Sequence, residues 1–152
     1  LFEAGKLMAE LGMPKEALAT FERYLELHPR GELASAASFR RCGLLIGMER
    51  LGDARTCLLG LRQSFPSDHR VSEATLLLAS IARVQRDWRI CAERYAEYLR
   101  ATDAPRAEEA TYYRLVCLEE ARDSQLAAAA QSYLSRFPQG EHVERVRRMM
   151  AR

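Results

Sequence analysis

Apolar residues recur along this chain with the spacing of an amphipathic α-helix. One stripe stands at positions i, i+4, i+7 and i+8 and consists of Ala17, Phe21, Tyr24 and Leu25. The same offsets return at Cys91, Tyr95, Tyr98 and Leu99. Before the later stripe lies another with helical spacing, made of Val71, Ala74, Leu77, Leu78, Ile81 and Val84. The alternation typical of a β-strand is not found, so the pattern predicts an all-α chain built from pairs of helices.

The stripes themselves repeat along the chain. Tyr24 aligns with Leu61, Tyr98 and Tyr133, at spacings of 37, 37 and 35 residues. The same alignment of the repeats gives three further columns of equivalent positions. The aromatic column is Phe21, Leu58, Tyr95 and Ala130, the small-residue column is Ala17, Ala54, Cys91 and Leu126, and the proline column is Pro29, Pro66, Asp103 and Pro138. A repeating helix pair is the signature of an α-solenoid. We expect a single repeat domain over 1–152, with units at about 1–30, 31–67, 68–104 and 105–139 and a capping helix at 140–152.

Turn residues between the stripes mark the ends of the predicted helices. The expected helices are 2–12, 15–28, 32–49, 53–64, 69–86, 88–101, 105–121, 124–136 and 140–151. Pro14 suits the first turn of a helix, and Asp53, Asp87 and Ser124 suit N-caps. In the last helix Val143, Val146, Met149 and Met150 form a narrow apolar stripe, while Arg145, Arg147, Arg148 and Arg152 face elsewhere. That arrangement is typical of a helix that caps a repeat stack.

Composition excludes several classes of protein. The formal net charge is +2, so no strong field draws the chain to nucleic acid or to a membrane surface. No apolar run approaches the roughly 18 residues that suggest a membrane span. Lys6 and Lys15 are the only lysines, an arginine bias that indicates a GC-rich, bacterial genome. The chain begins at Leu1 without a signal peptide, and we expect it to be a fragment of a longer protein.

No motif in the chain indicates a reaction. The histidines are dispersed, there is no phosphate loop or nucleophile motif, and the sequence predicts neither a metal site, nor a cofactor, nor an enzyme. The four cysteines, Cys42, Cys57, Cys91 and Cys117, form no CxxC pair. The simplest interpretation makes each a small buried apolar residue. Disulfides between neighbouring helices remain open as the alternative for an exported protein.

The repeat resembles the tetratricopeptide repeat (TPR), a helix pair of about 34 residues. Ala17, Phe21 and Pro29 match its small, aromatic and proline positions, and Gly5 and Ala79 match its small first-helix residue. The resemblance implies a right-handed superhelix of antiparallel helix pairs, although the repeats are longer than the TPR norm. The closing segment 133–141 is similar to bacterial cell-envelope TPR proteins of the outer-membrane-assembly lipoprotein and Tol–Pal coordinator types. That similarity implies a periplasmic or envelope location, with the cytoplasm as the alternative.

The resemblance also implies a function, a non-catalytic scaffold that binds a partner protein or peptide on its concave face. In TPR proteins the first helix of each pair lines that face. The corresponding residues here are Arg40 and Leu44; Glu73, Leu76, Ser80 and Arg83; and Glu108, Thr111 and Tyr112. Each could equally be a solvated helix residue. Tyr112 and Tyr113 cannot both face the core, because neighbours on a helix lie about 100° apart. The alternative function is self-assembly, as a homo-oligomer, or domain spacing, and no nucleic acid or direct membrane insertion is expected.

Overall fold

The structure, a computed structural model, describes residues 1–101 and 104–151. In this part of the chain all regular elements are helices: α1 (Phe2–Glu10), α2 (Pro14–Leu27), α3 (Ala34–Gly47), α4 (Leu51–Ser64), α5 (Arg70–Val84), α6 (Trp88–Leu99), α7 (Ala107–Glu120), α8 (Leu126–Arg136) and α9 (Val143–Met150). The all-α prediction is confirmed, and each helix begins and ends within three residues of its predicted bounds. Asp103 of the proline column and Arg152 of the capping helix lie outside the described residues.

The chain divides into two compact units, Leu1–Ala74 and Thr75–Arg152. In the first unit α1 packs on α2, α2 on α3, and α3 on α4. One core cluster of this unit joins Ala17 and Phe21 of α2 to Ala37 of α3. A Cβ atom added to Gly5 would lie 2.9 Å from the Phe21 ring, so α1 can approach α2 this closely only because Gly5 has no side chain.

In the second unit, two core clusters of described residues meet at α7. One joins α5, α6 and α7 and is centred on Tyr95, Tyr98 and Cys117. The other joins α7, α8 and α9 and is centred on Leu115, Tyr133 and Val146. Tyr113 packs against the first cluster and Tyr112 against the second, because their side chains leave α7 in different directions. Both rings are half-buried.

The aromatic column of the repeat lies in the cores of the two units. Phe21, Leu58, Tyr95 and Ala130 are all at most 1% exposed. These residues take equivalent places on α2, α4, α6 and α8, which are the second helices of successive pairs. The period found in the sequence therefore marks side chains that are removed from water, and such burial is the main favourable contribution to folding.

Backbone conformation marks the same period at the turns within the helix pairs. Gly12, Glu49, Arg86 and Arg122 have φ angles of 72°, 59°, 60° and 52°. They follow one another at 37, 37 and 36 residues and each comes shortly after the first helix of a pair. A residue with left-handed φ commonly ends a helix, and glycine is the residue best suited to it.

Two predicted helix starts were wrong in detail. α4 begins at Leu51, so Asp53 lies inside its first turn, where its carboxylate accepts a 2.9 Å hydrogen bond from Arg50 Nε. α8 begins at Leu126, and the Asp123 carboxylate, rather than Ser124, accepts a 2.8 Å bond from the Gln125 N–H. Asp87 holds its predicted N-cap position, without a side-chain capping bond. None of the three helices has a side-chain capping hydrogen bond at its N-cap residue.

The four cysteines are paired, so the interpretation as isolated buried residues was incomplete. A disulfide joins Cys42 of α3 to Cys57 of α4, with Cα atoms 5.4 Å apart. A second joins Cys91 of α6 to Cys117 of α7, with Cα atoms 6.1 Å apart. Both separations lie in the usual range for a disulfide. The first bridge lies inside the first unit and the second inside the second unit, and all four side chains are buried.

Helix α9 packs its apolar side against α7 and α8. Val146 and Met149 are buried, but Met150, which we expected in the same stripe, is 40% exposed because it follows Met149 directly on the helix. Arg145 does not simply face water: its guanidinium lies 3.2 Å from a carboxylate oxygen of Glu119 on α7. Among the described residues no helix has the length and apolar character needed to cross a membrane.

Candidate functional site

A wide apolar groove lies over α1, α2 and α3 in the first unit, with a volume of about 770 Å³. Its size is in the range of ligand-binding clefts. The walls carry Phe2 of α1, Phe21 of α2 and, around α3, Leu33, Phe39 and Leu44. Leu33 is 41% exposed, and Phe2, Phe39 and Leu44 are half-buried. Apolar surface that stays accessible in this way is typical of an interaction site.

One face of α3 forms the floor of the groove. The residues on it are Ala36, Arg40, Gly43 and Gly47, at i, i+4, i+7 and i+11. Cβ atoms added to Gly43 and Gly47 would meet nothing within 4 Å, so both glycines border open space. The floor is therefore nearly free of side chains, except for Arg40.

The described lining of the groove contains two charged side chains, Arg40 and Arg70. Arg40 is exposed, and its guanidinium lies 5.9 Å from the centre of the Phe2 ring. Arg70 lies 3.3 Å from a carboxylate oxygen of Asp68, which also accepts the Arg70 N–H at 2.8 Å. Burial raises the pKa of Asp68, but hydrogen bonds, led by this N–H, and the charge of Arg70 together outweigh that effect and leave the pKa below its usual value. Arg70 is thus neutralised, and Arg40 supplies the groove's available positive charge.

The structure brings together two of the residues predicted to bind a partner, Arg40 and Leu44, in this groove. Glu73 is half-buried on α5 in the first unit and has an internal partner. Leu76 is 3% exposed and belongs to a core cluster of the second unit, so its side chain is not accessible to a partner. A position on the first helix of a pair therefore did not ensure exposure.

In the second unit Ser80 and Arg83 contact aromatic residues. Arg83 Nε donates a 3.3 Å hydrogen bond to the Tyr95 hydroxyl, which lies 3.4 Å from the Ser80 hydroxyl. The Arg83 guanidinium carbon also lies 4.0 Å from the centre of the Tyr113 ring. A cation over an aromatic face at this distance is attracted to it. Arg83 is therefore held within its own unit.

The remaining three predicted residues lie on α7. The Thr111 hydroxyl donates a 2.6 Å hydrogen bond to the Ala107 carbonyl. The Tyr112 ring stacks on the His142 ring with ring centres 3.7 Å apart. Glu108 accepts hydrogen bonds from the Tyr133 hydroxyl at 3.0 Å and from the Glu141 N–H at 2.8 Å. The contacts of Tyr112 and Glu108 tie α7 to the segment before α9, while the Thr111 bond stays within α7.

Sequence reasoning missed most of the groove. Phe2, Leu33, Phe39 and the glycines Gly43 and Gly47 were not among the predicted residues, although all line it. The spacing of Ala36, Arg40, Gly43 and Gly47 on one helical face could have identified the two glycines, but it does not point to Phe2, Leu33 or Phe39. The described lining contains no nucleophile and no group for acid–base catalysis.

Comparison with known proteins supports the fold. The chain is similar to the crystal structure of a tetratricopeptide repeat protein from Parabacteroides merdae ATCC 43184, with a TM-score of 0.80 and 12% sequence identity. The match covers 98% of this chain and 57% of that chain, so the present chain spans little more than half of that protein's length. No protein-family model matches the sequence, and no curated protein matches it. The helix pairs thus have the TPR-like arrangement.

Proposed function

We propose that this chain is a non-catalytic scaffold that holds a partner protein or peptide on the face formed by the first helices of its pairs. The observation that carries the proposal is the groove of the first unit. It combines accessible Phe2, Phe39 and Leu44 with the unneutralised charge of Arg40. Apolar anchors beside a charged group are the usual means of partner recognition. A groove that exists before binding also lowers the ordering cost of association.

Site-specific photocrosslinking in the native host tests the proposal. A photoreactive amino acid, p-benzoylphenylalanine, replaces Leu44 in the groove, and the matched control places it at Leu59, which is 40% exposed on α4 and outside the groove lining. We expect light to produce a discrete adduct with another protein from position 44 and not from position 59. An adduct with a second copy of this chain would instead support self-assembly. Absence of any adduct specific to position 44 would contradict the scaffold function.

We also infer that the protein works in an oxidising compartment, in keeping with the expected bacterial cell envelope. The support is the pairing of all four cysteines into two bridges, Cys42–Cys57 and Cys91–Cys117. Structural disulfides persist in exported proteins and are rare in the reducing cytosol. Mass spectrometry of protein alkylated under denaturing conditions directly after lysis of the native host tests this. Two intact disulfides are expected, and four alkylated thiols would contradict it.

A further inference from the structure

The glycines on the groove floor have no explanation within the chain. Glycine is among the least favourable residues in a helix interior, where Gly43 lies. At Gly5 a close contact with Phe21 accounts for the choice, but Cβ atoms at Gly43 and Gly47 would enter empty space. Lacking side chains, these two positions leave the backbone of α3 open to close approach from outside. Gly60 on α4 is equally open, but Gly43 and Gly47 also line the apolar groove, so an occupant of the groove has room to approach the α3 backbone there.

Hydrogen bonding indicates the form of that occupant. An extended peptide brings unpaired backbone N–H and C=O groups into a groove, and each must find a partner when it is buried. Among the described lining residues the polar side chains are Arg40 and Arg70, and the latter is engaged by Asp68. A helix satisfies its own backbone and presents apolar side chains at i, i+3 or i+4, and i+7. The apolar lining favours a helix.

Charge indicates one further property. Arg40 lies on the floor and is exposed, and its guanidinium lies over the Phe2 ring. A guanidinium beside an apolar surface binds a carboxylate strongly, through paired and charge-assisted hydrogen bonds. An aspartate or glutamate on the edge of an apolar helical stripe could reach it while the stripe fills the groove.

We propose that the groove of the first unit takes an amphipathic helix of a partner protein, with its apolar stripe over Gly43 and Gly47 and a carboxylate against Arg40. This assignment rests on the proposed scaffold function and specifies the chemistry of the partner. It distinguishes the groove from a site for extended peptides, which would need polar side chains along its walls.

A displayed library of random peptides, long enough for roughly four helical turns, tests the assignment. It is selected against the whole chain and the bound peptides are titrated against two variants. Gly43→Leu fills the floor, and Gly60→Leu makes the same change at an exposed site on α4 where a Cβ also meets nothing. We expect Gly43→Leu to weaken binding about tenfold or more, and Gly60→Leu to leave it unchanged. Thermal melts should show both variants at least as stable as the parent, because leucine favours helix.

Two further measurements test the form and charge of the occupant. Selected peptides should gain helical circular dichroism on binding and carry an acidic residue at a constant offset from their apolar stripe. Arg40→Glu should weaken the binding of these peptides. Changing their acidic residue to lysine should restore binding to this variant. Selection of proline-containing, extended peptides, the lack of an acidic preference, or equal binding to Gly43→Leu would each overturn the assignment.

The outcomes separate this assignment from the scaffold function. Peptides that bind the chain but are indifferent to Gly43→Leu overturn the helix assignment, and the scaffold function is then decided by the crosslink from position 44. Helical peptides that depend on Gly43, together with no adduct from position 44 in the native host, support the groove chemistry and contradict the scaffold function. A library that yields no peptide dependent on Gly43 overturns the assignment.

Discussion

The Tyr133 hydroxyl donates a 3.0 Å hydrogen bond to the carboxylate of Glu108, 25 residues earlier in the chain. The same hydroxyl accepts the His142 N–H at 3.2 Å, one residue before α9. One repeat earlier the Tyr98 hydroxyl accepts the Arg106 N–H, one residue before α7, at 3.2 Å. At the second repeat Leu61 has no hydroxyl, and the Asp68 carboxylate accepts the Arg70 N–H instead. Tyr98 and Tyr133 therefore serve the start of the next helix as well as the core.

Removing the Tyr133 hydroxyl should destabilise the protein. Tyr133→Phe leaves the buried ring in place, but Glu108 loses a donor and the His142 N–H loses its acceptor. A hydrogen bond to a charged group contributes about 1.5–3 kcal/mol, and we expect a loss in that range by urea denaturation. Tyr98→Phe is the matched control, because its hydroxyl accepts one backbone bond, which contributes about 1 kcal/mol. Equal effects of the two changes would show that Glu108 adds nothing.

The titration of Tyr133 should make stability depend on pH in the alkaline range. Burial raises the pKa of Tyr133 to about 12, and the Glu108 carboxylate adds to that effect. In the unfolded chain a tyrosine ionises near pH 10, so between roughly pH 10 and 12 the folded state holds a proton that the unfolded state has lost. The contribution is complete below pH 10 and declines as pH rises. Urea midpoints of the parent should therefore fall more steeply over this range than those of Tyr133→Phe. Parallel curves would contradict the raised pKa.

Gly5 should not tolerate a larger side chain. A Cβ at this position lies 2.9 Å from two atoms of the buried Phe21 ring, so Gly5→Val must displace α1 or the ring. Overpacking of this kind costs about 1–3 kcal/mol, measurable by thermal or urea denaturation. Gly60→Val is the control, because a Cβ there meets nothing within 4 Å. If Gly5→Val were as stable as its control, the close packing of α1 on α2 would be wrong.

The left-handed turn residues offer a stabilising change. Glu49→Gly, Arg86→Gly and Arg122→Gly each replace a side-chain-bearing residue at positive φ. Relief of that conformation should stabilise each variant by about 0.5–1 kcal/mol. Gly12→Ala makes the reverse change at the equivalent turn, where φ is 72°, and should destabilise by a similar amount. Denaturant midpoints that move in the opposite directions would show that these residues do not have positive φ angles in solution.

Each disulfide should stabilise the unit that contains it. The Cys42–Cys57 bridge closes a segment with a sequence separation of 15 and Cys91–Cys117 one of 26. Restricting the unfolded chain in loops of this size contributes about 2–4 kcal/mol per bridge. Paired Cys→Ala changes at one bridge should therefore lower the urea midpoint. Reductant should lower the parent's midpoint further, because it opens both bridges; a parent whose midpoint is unaffected by reductant would contradict the pairing.

Much of the fold was predictable because it depends on local pattern. The stripe of Ala17, Phe21 and Tyr24 placed α2 correctly, and the period identified Leu58 and Tyr95 as core residues. The candidate site was predicted less well. Arg40 and Leu44 reached the groove, but Leu76 is buried and Arg83 and Glu108 have internal partners. Whether a first-helix residue meets water depends on the helices packed around it, which a periodic pattern does not describe.

By itself the sequence determined that the chain is all-α, how long its helices are and where the pairs repeat. These properties follow from the 3.6-residue period of apolar side chains and from turn residues a few positions away. The tertiary structure alone decided that Cys42 pairs with Cys57 and Cys91 with Cys117, and that Gly43 borders open space while Gly5 touches Phe21. Such contacts join residues more than a dozen positions apart, and they exist only because packing aligns faces of different helices.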